Sequence, residues 1–240
     1  MSALIRTRIL FFIGAFAVSL LATLPLRFVF DGSSLAAAGL AAREAKGSLW
    51  SGGLADLQWG PVRLGDFDAG ARPLQLLLGR FAVGLEDRGA RETHGTVVVA
   101  RSGAGVSGAD ALVPVGSLLA PLPIAAFELE QVTIRFGPRG CIEAAGLVRA
   151  RTAGALAGIA LPPSLSGTPR CEGGLLILPL ASQAGSEALE LRLGSGGRYE
   201  AAVILRPGDP AVAASLAAAG FRRTSRGYLT VVRGSLSSAR

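Results

Sequence analysis

The stretch Ile9–Leu26 constrains this chain most. It is an uncharged, almost wholly apolar run, preceded by Arg6 and Arg8 and closed by Arg27 and Asp31. Wound as a helix it reaches roughly 27 Å, enough to cross a hydrocarbon core of about 30 Å. Phe28, Val29 and Phe30 carry the apolar character past Arg27 and suit the outer membrane–water interface, so the expected span is 9–30. Ile9, Phe12, Phe16, Leu20 and Leu24 are its expected anchor residues. Ala15-Phe16-Ala17 resembles a small-x-small cleavage site, but a cut there leaves an apolar stub through Leu21. An uncleaved anchor is therefore expected, with a cleaved signal peptide and a buried core helix as the alternatives. Two arginines before the run and no positive cluster right after it place residues 1–8 in the cytoplasm and export the rest.

Beyond the run the chain changes character. Ser33–Glu44 is rich in alanine, can be capped by Ser33 or Ser34 and is ended by Gly47, which predicts a stalk helix within 31–46. From Gly47 onward, short segments recur with turn signals every 8–12 residues or so, the pattern of an all-β architecture. The clearest alternation is Phe127–Phe136; Gly137-Pro138-Arg139-Gly140 then turns into Cys141–Arg151. Strands are also expected at Leu49–Leu57, Pro61–Phe67, Leu74–Leu85, Thr96–Arg101, Cys171–Leu180, Ala188–Gly194, Arg198–Leu205 and Arg226–Val232. Gly103–Gly108 and Thr152–Pro169 read as loops, and Ala111–Pro123 has room for one helical turn. Asp209–Gly220 reads as a helix with Pro210 in its first turn and Gly220 as its stop. The expected fold is mainly β: one transmembrane helix, then a curved antiparallel sheet or sandwich over 47–233 with one or two short helices, then a disordered tail, 234–240.

The chain carries a net charge of +7, but this does not predict nucleic-acid binding. Lys46 is the sole lysine; the arginines are dispersed, with only Arg222-Arg223 adjacent and no aromatic residues interleaved among them. Cys141 and Cys171 both follow the apolar run, so in an exported, oxidising compartment a disulfide is expected, with two buried thiols as the alternative. Such a bond closes a loop of about 30 residues and stabilises by about 3–4 kcal/mol in the chain-entropy picture. No nucleophile elbow, phosphate loop or zinc signature is present. Gly103, Gly105 and Gly108 match G-x-G-x-x-G by letter, but no helical pattern follows. His94 near Glu92, and the pair Asp66 and Asp68, lack the context that acid–base chemistry needs. No enzyme activity, metal or cofactor is expected.

Three groups of residues carry a family resemblance. The first is Gly47-Ser48-Leu49-Trp50-Ser51-Gly52-Gly53, followed by Pro73, Leu76-Leu77 and Gly79-Arg80-Phe81. The second is Cys141 with Gly146-Leu147-Val148 and Cys171-Glu172-Gly173-Gly174. The third is Gly197-Arg198-Tyr199, then Arg206-Pro207, Leu216, Gly220 and Gly234-Ser235-Leu236. In this order the chain resembles the protein N family of bacterial type II secretion systems; Ala69 departs from a tryptophan usual in that family. The resemblance implies an inner-membrane, periplasm-facing accessory component whose partners are other inner-membrane or periplasmic secretion subunits. Read physically, Trp50 is expected as a core anchor between glycines that allow positive φ or close backbone approach. Gly197 and Tyr199 read as a hairpin turn followed by an edge aromatic. An anchored, apolar β-sheet also resembles lipid transporters of the AsmA type, which implies membrane lipid as the alternative partner.

Overall fold

The computed structural model describes residues 8, 11–16, 19–20, 22–27, 40–59, 62–77, 79–89, 93–156 and 158–235. Strands dominate. The first six are β1 (Leu40–Gly47), β2 (Gly52–Trp59), β3 (Val62–Ala71), β4 (Arg80–Asp87), β5 (His94–Ala100) and β6 (Gly103–Pro114). The long central hairpin is β7 (Ile124–Gly137) and β8 (Gly140–Thr152). Short pieces follow: β9 (Ala155–Leu156), β10 (Ile159–Ala160), β11 (Ser164–Gly167) and β12 (Arg170–Glu172). The C-terminal strands are β13 (Leu175–Ala181), β14 (Glu187–Leu193), β15 (Arg198–Leu205), β16 (Arg222–Thr224) and β17 (Gly227–Ser235). Helix α1 (Pro73–Leu77) lies between β3 and β4, a 3-10 turn occupies Gly116–Leu119, and α2 (Pro210–Ala218) lies between β15 and β16. Asp209 caps α2 by accepting from the Ala211 amide, with Pro210 in the first turn as the sequence predicts.

One continuous antiparallel sheet of 15 strands runs β1-β2-β3-β4-β5-β6-β7-β8-β11-β13-β14-β15-β17-β16, with β12 pairing β13 to the side. β9 and β10 form a separate two-stranded hairpin. Two stacked sheets, the sandwich alternative, are not the arrangement. One rung crosses the middle of the sheet: Phe81, Val99, Ala104, Phe136 and Cys141 stand opposite one another on β4 to β8. Directly opposed residues share a face, so this face is apolar from strand to strand. It bears two cores. The N-terminal core joins Leu26, Leu49, Leu54, Leu57, Phe67 and Val83. The larger core gathers Val132, Val148, Leu180, Leu189, Tyr199 and Leu216 from β7 through α2. The opposite face carries the charges, in pairs such as Arg135–Glu143 (2.7 Å), Arg192–Glu190 (2.6 Å) and Arg233–Glu200 (2.7 Å). The hydrogen bond to Glu190 and that residue's negative charge raise the Arg192 pKa above its ordinary value.

The structure corrects several expectations. Within the predicted stalk 31–46, residues 40–46 belong to β1, and 31–39 lie outside the described residues. Helix propensity there yields to pairing: Ala42 stands opposite Leu57, and Ala45 opposite Leu54. The β domain therefore starts at least as early as Leu40 rather than at 47. Gly103–Gly108 is not a loop but the first half of β6, where Gly105 lies against the Ile134 carbonyl at a spot a side chain would fill. Leu74–Leu85 divides between α1 and β4, and β9, β10 and β11 occupy parts of 152–169. Gly234 and Ser235 of the predicted tail end β17; residues 236–240 lie outside the described residues. Of the run 9–30, residues 9–10, 17–18, 21 and 28–30, Ile9 among them, also lie outside. Residues 11–16 are helical, with Phe11, Phe12 and Phe16 each about 70% exposed, and Leu20 is half exposed. Among the described residues, no helix is long and apolar enough to cross a membrane.

Candidate interaction site

The segment Ser48–Ser51 joins β1 to β2 and forms a corner where three parts of the chain meet. The Leu49 amide donates to the Leu24 carbonyl (2.8 Å), and the Leu49 carbonyl accepts from the Ala71 amide (2.9 Å). Pro25 forms an isolated bridge to Ser48. The N-terminal leg is thus stitched to the sheet by backbone bonds, and Leu26 (4% exposed) packs beside Leu49 (4%) in the N-terminal core. Gly47 makes the corner possible: its φ is +83°, and a Cβ there would sit 2.7 Å from the Ser51 carbonyl oxygen. Gly52 is needed for space instead, since a Cβ would come within 2.9 Å of the Leu26 side chain.

Leu49, not Trp50, is the core anchor of this motif. Trp50 is half-buried and, with Asp68, Arg72, Gly70, Gly84 and Glu86, lines an open cleft of about 300 Å³. In the bend between β1 and β2, Leu49 is turned into the N-terminal core and Trp50 toward the cleft. Side-chain size alone favours Trp50, whereas the residue packed beside Leu49, Leu26, lies 23 residues upstream. Pro73 starts α1 two residues after Ala71, whose amide donates to the Leu49 carbonyl.

A second junction lies where β8 meets β12. Cys141 and Cys171 form a disulfide, with a Cα–Cα distance of 5.4 Å, and the Cys141 amide donates to the Gly174 carbonyl (2.8 Å). The turn through Gly173 and Gly174, both at positive φ, is thereby held against the β7–β8 turn. Gly197 closes the β14–β15 turn by donating to the Gly194 carbonyl (3.0 Å). Tyr199 is not an edge aromatic: β15 lies between β14 and β17, the ring is 7% exposed, and its hydroxyl donates to the Leu118 carbonyl (2.7 Å). Gly220, at positive φ, follows the end of α2.

The polar residues singled out in the sequence are occupied structurally. Asp66 accepts from the Asp56 amide (2.7 Å), Asp68 pairs with Arg88 (2.7 Å), and His94 lies 3.1 Å from Asp110. They do not converge on one another. Gly103, Gly105 and Gly108 lie along β6, which leaves no helix N-terminus to cradle a phosphate. Among the described residues, no group of three or more His, Cys, Asp or Glu could hold a metal ion.

No curated protein and no solved structure matches this chain. The family model of type II secretion system protein N matches residues 38–232, from just before β1 to within β17, and so takes in the larger core, the disulfide junction and the sheet side of the first corner, but not Leu24–Leu26. The chain belongs to the type II secretion system protein N family.

Proposed function

We propose that this protein is an accessory component of the secretion machine, held in the bacterial inner membrane by its N-terminal run with the β domain in the periplasm. The observation that carries this reading is the stitched leg. An apolar segment with Phe11, Phe12, Ile13, Phe16 and Leu20 exposed enters the sheet through Leu24–Leu26 as part of its first core. Exposed aromatic and aliphatic side chains in a row lower their free energy in hydrocarbon. The domain then works as a scaffold. β1 ends the strand order, and among the described residues nothing pairs with its outer edge. Eight residues of open edge can take a strand from a neighbouring subunit by β-augmentation. Arg43, Glu44 and Lys46 on that strand discourage unselective pairing.

Deletion of the gene should trap secreted proteins in the periplasm, and a photo-crosslinker at Arg43 should capture another secretion subunit. Normal secretion after deletion would sink the reading. The apolar face gives a second reading, lipid handling, because Val97, Val99, Val106 and Phe136 belong to neither core and are half-exposed. Co-purified acyl lipid lost on Val99→Asp, with secretion intact, would favour it over the scaffold.

A further inference from the structure

We infer that one rim of the sheet, the row of turns at the end where the N-terminal leg enters, is a docking surface for an anionic lipid bilayer. The inference rests on the anchored reading above and adds the orientation of the domain.

The register places these turns on one side. Gly47 stands opposite Gly52, Ala71 opposite Val83, Ala100 opposite Gly103, and Gly137 opposite Gly140. Leu176 stands opposite Leu193, and Arg198 opposite Ser235. The segments 48–51, 72–79, 101–102, 138–139, 173–174 and 194–197 therefore share one rim, and none of them contains an acidic residue. Arg80, Arg101, Arg139 and Arg198 are exposed there and have no ion-pair partner among the described residues. Arg135, Arg149 and Arg233 are paired across strands, whereas Arg63, Arg222, Arg223 and Arg226 away from this rim are also in no ion pair among the described residues, so it is the company of exposed aliphatic side chains that sets the rim apart.

The same rim collects apolar side chains in water. Outside the N-terminal leg, the exposed large hydrophobics among the described residues are Leu74 (75%), Leu112 (49%), Ile142 (48%) and Leu175 (39%). All but Leu112 stand at this rim: Leu74 on α1, Ile142 just after the β7–β8 turn, and Leu175 just after Gly174. The disulfide and the Cys141–Gly174 bond hold the turns bearing Arg139, Ile142 and Leu175 together. Unpaired guanidinium groups interleaved with exposed aliphatic tips match a bilayer interface, where phosphates meet the first methylenes. A partner recognised by charge alone would give no role to Leu74, Ile142 and Leu175. The leg decides between a bilayer and an acidic protein, because it joins the sheet at this rim through the Leu24 carbonyl and carries exposed Phe11, Phe12 and Phe16.

The test is hydrogen exchange on the full chain in nanodiscs, of phosphatidylcholine alone or mixed with phosphatidylglycerol. In the anionic discs, amides of 101–103, 138–142, 173–175 and 195–198 should exchange about tenfold or more slowly, reversibly in about 0.5 M salt. The Arg101→Glu/Arg139→Glu pair should lose that protection, while β13–β15 amides and the disulfide stay intact. The turn 183–186, on the opposite rim, should not respond to either lipid. Equal exchange in both discs with the chain anchored overturns the rim proposal alone, and leaves the rim to an acidic protein. Protection of 183–186 instead also overturns it. A chain recovered in neither disc overturns both the rim proposal and the anchored reading.

Discussion

The two ends of the sheet are built to different standards. From β7 to α2, the core draws on long strands, a disulfide, a capping segment at 115–123 and a helix, so that Val132, Ala150, Ala201 and Leu216 are fully buried. From β1 to β4 the core is small and is completed by residues that precede the sheet, Leu24 and Leu26. The difference teaches that the C-terminal part carries its own stability, whereas the N-terminal part depends on the leg. A movement of the leg is felt first at β1, the strand with the open edge.

The largest expected effect is in the larger core. Leu180→Ala should cost about 2–5 kcal/mol, because the side chain is 1% exposed and the surrounding strands cannot close over the cavity. Denaturant unfolding should shift for β7–β17 as one transition. Next, replacing Cys141 and Cys171 by serine should cost about 3 kcal/mol and lower the melting temperature, whereas reductant should leave the serine variant unchanged. Leu49→Ala should cost about 2–3 kcal/mol, but only at the other end. Its mark is faster hydrogen exchange in β1–β4 with β13–β15 unaffected, and a global transition would break the comparison. Smallest is Tyr199→Phe, which leaves the Leu118 carbonyl without its donor and should cost about 1 kcal/mol. Its exchange signature should stay within 115–123 and the start of β15.

The all-β architecture was legible in the sequence because it is written in local pattern. Alternation in Phe127–Phe136 and the Gly-Pro-Arg-Gly turn lead directly to β7 and β8, and Pro210 with Asp209 to α2. What was not legible is decided by partners distant in the chain. The alanines of β1 favour a helix until Leu54 and Leu57 stand opposite them. The glycines of β6 read as a loop until the β7 backbone is seen to press against Gly105. At the candidate site, the glycines of Gly47–Gly53 mark the corner, but side-chain size favours Trp50 whereas the contact with Leu26 buries Leu49. The rim could be suspected only after register aligned the turns, although Ile142 and Leu175 each following a turn glycine closely was a visible signal.

Because nearly every strand pairs with the one before it, a chain emerging N-terminus first can add hairpin to hairpin without waiting for its end. The first core needs nothing beyond β4, and the disulfide needs nothing beyond β12. The contacts that close the larger core, among them Tyr199 on Leu118 and the burial of Leu189, Ala201 and Leu216, must await the last sixty or so residues. Such a growth order keeps the number of unpaired strand edges in a half-made molecule close to that in the finished one, which limits the surface open to misassembly while the chain is still being delivered.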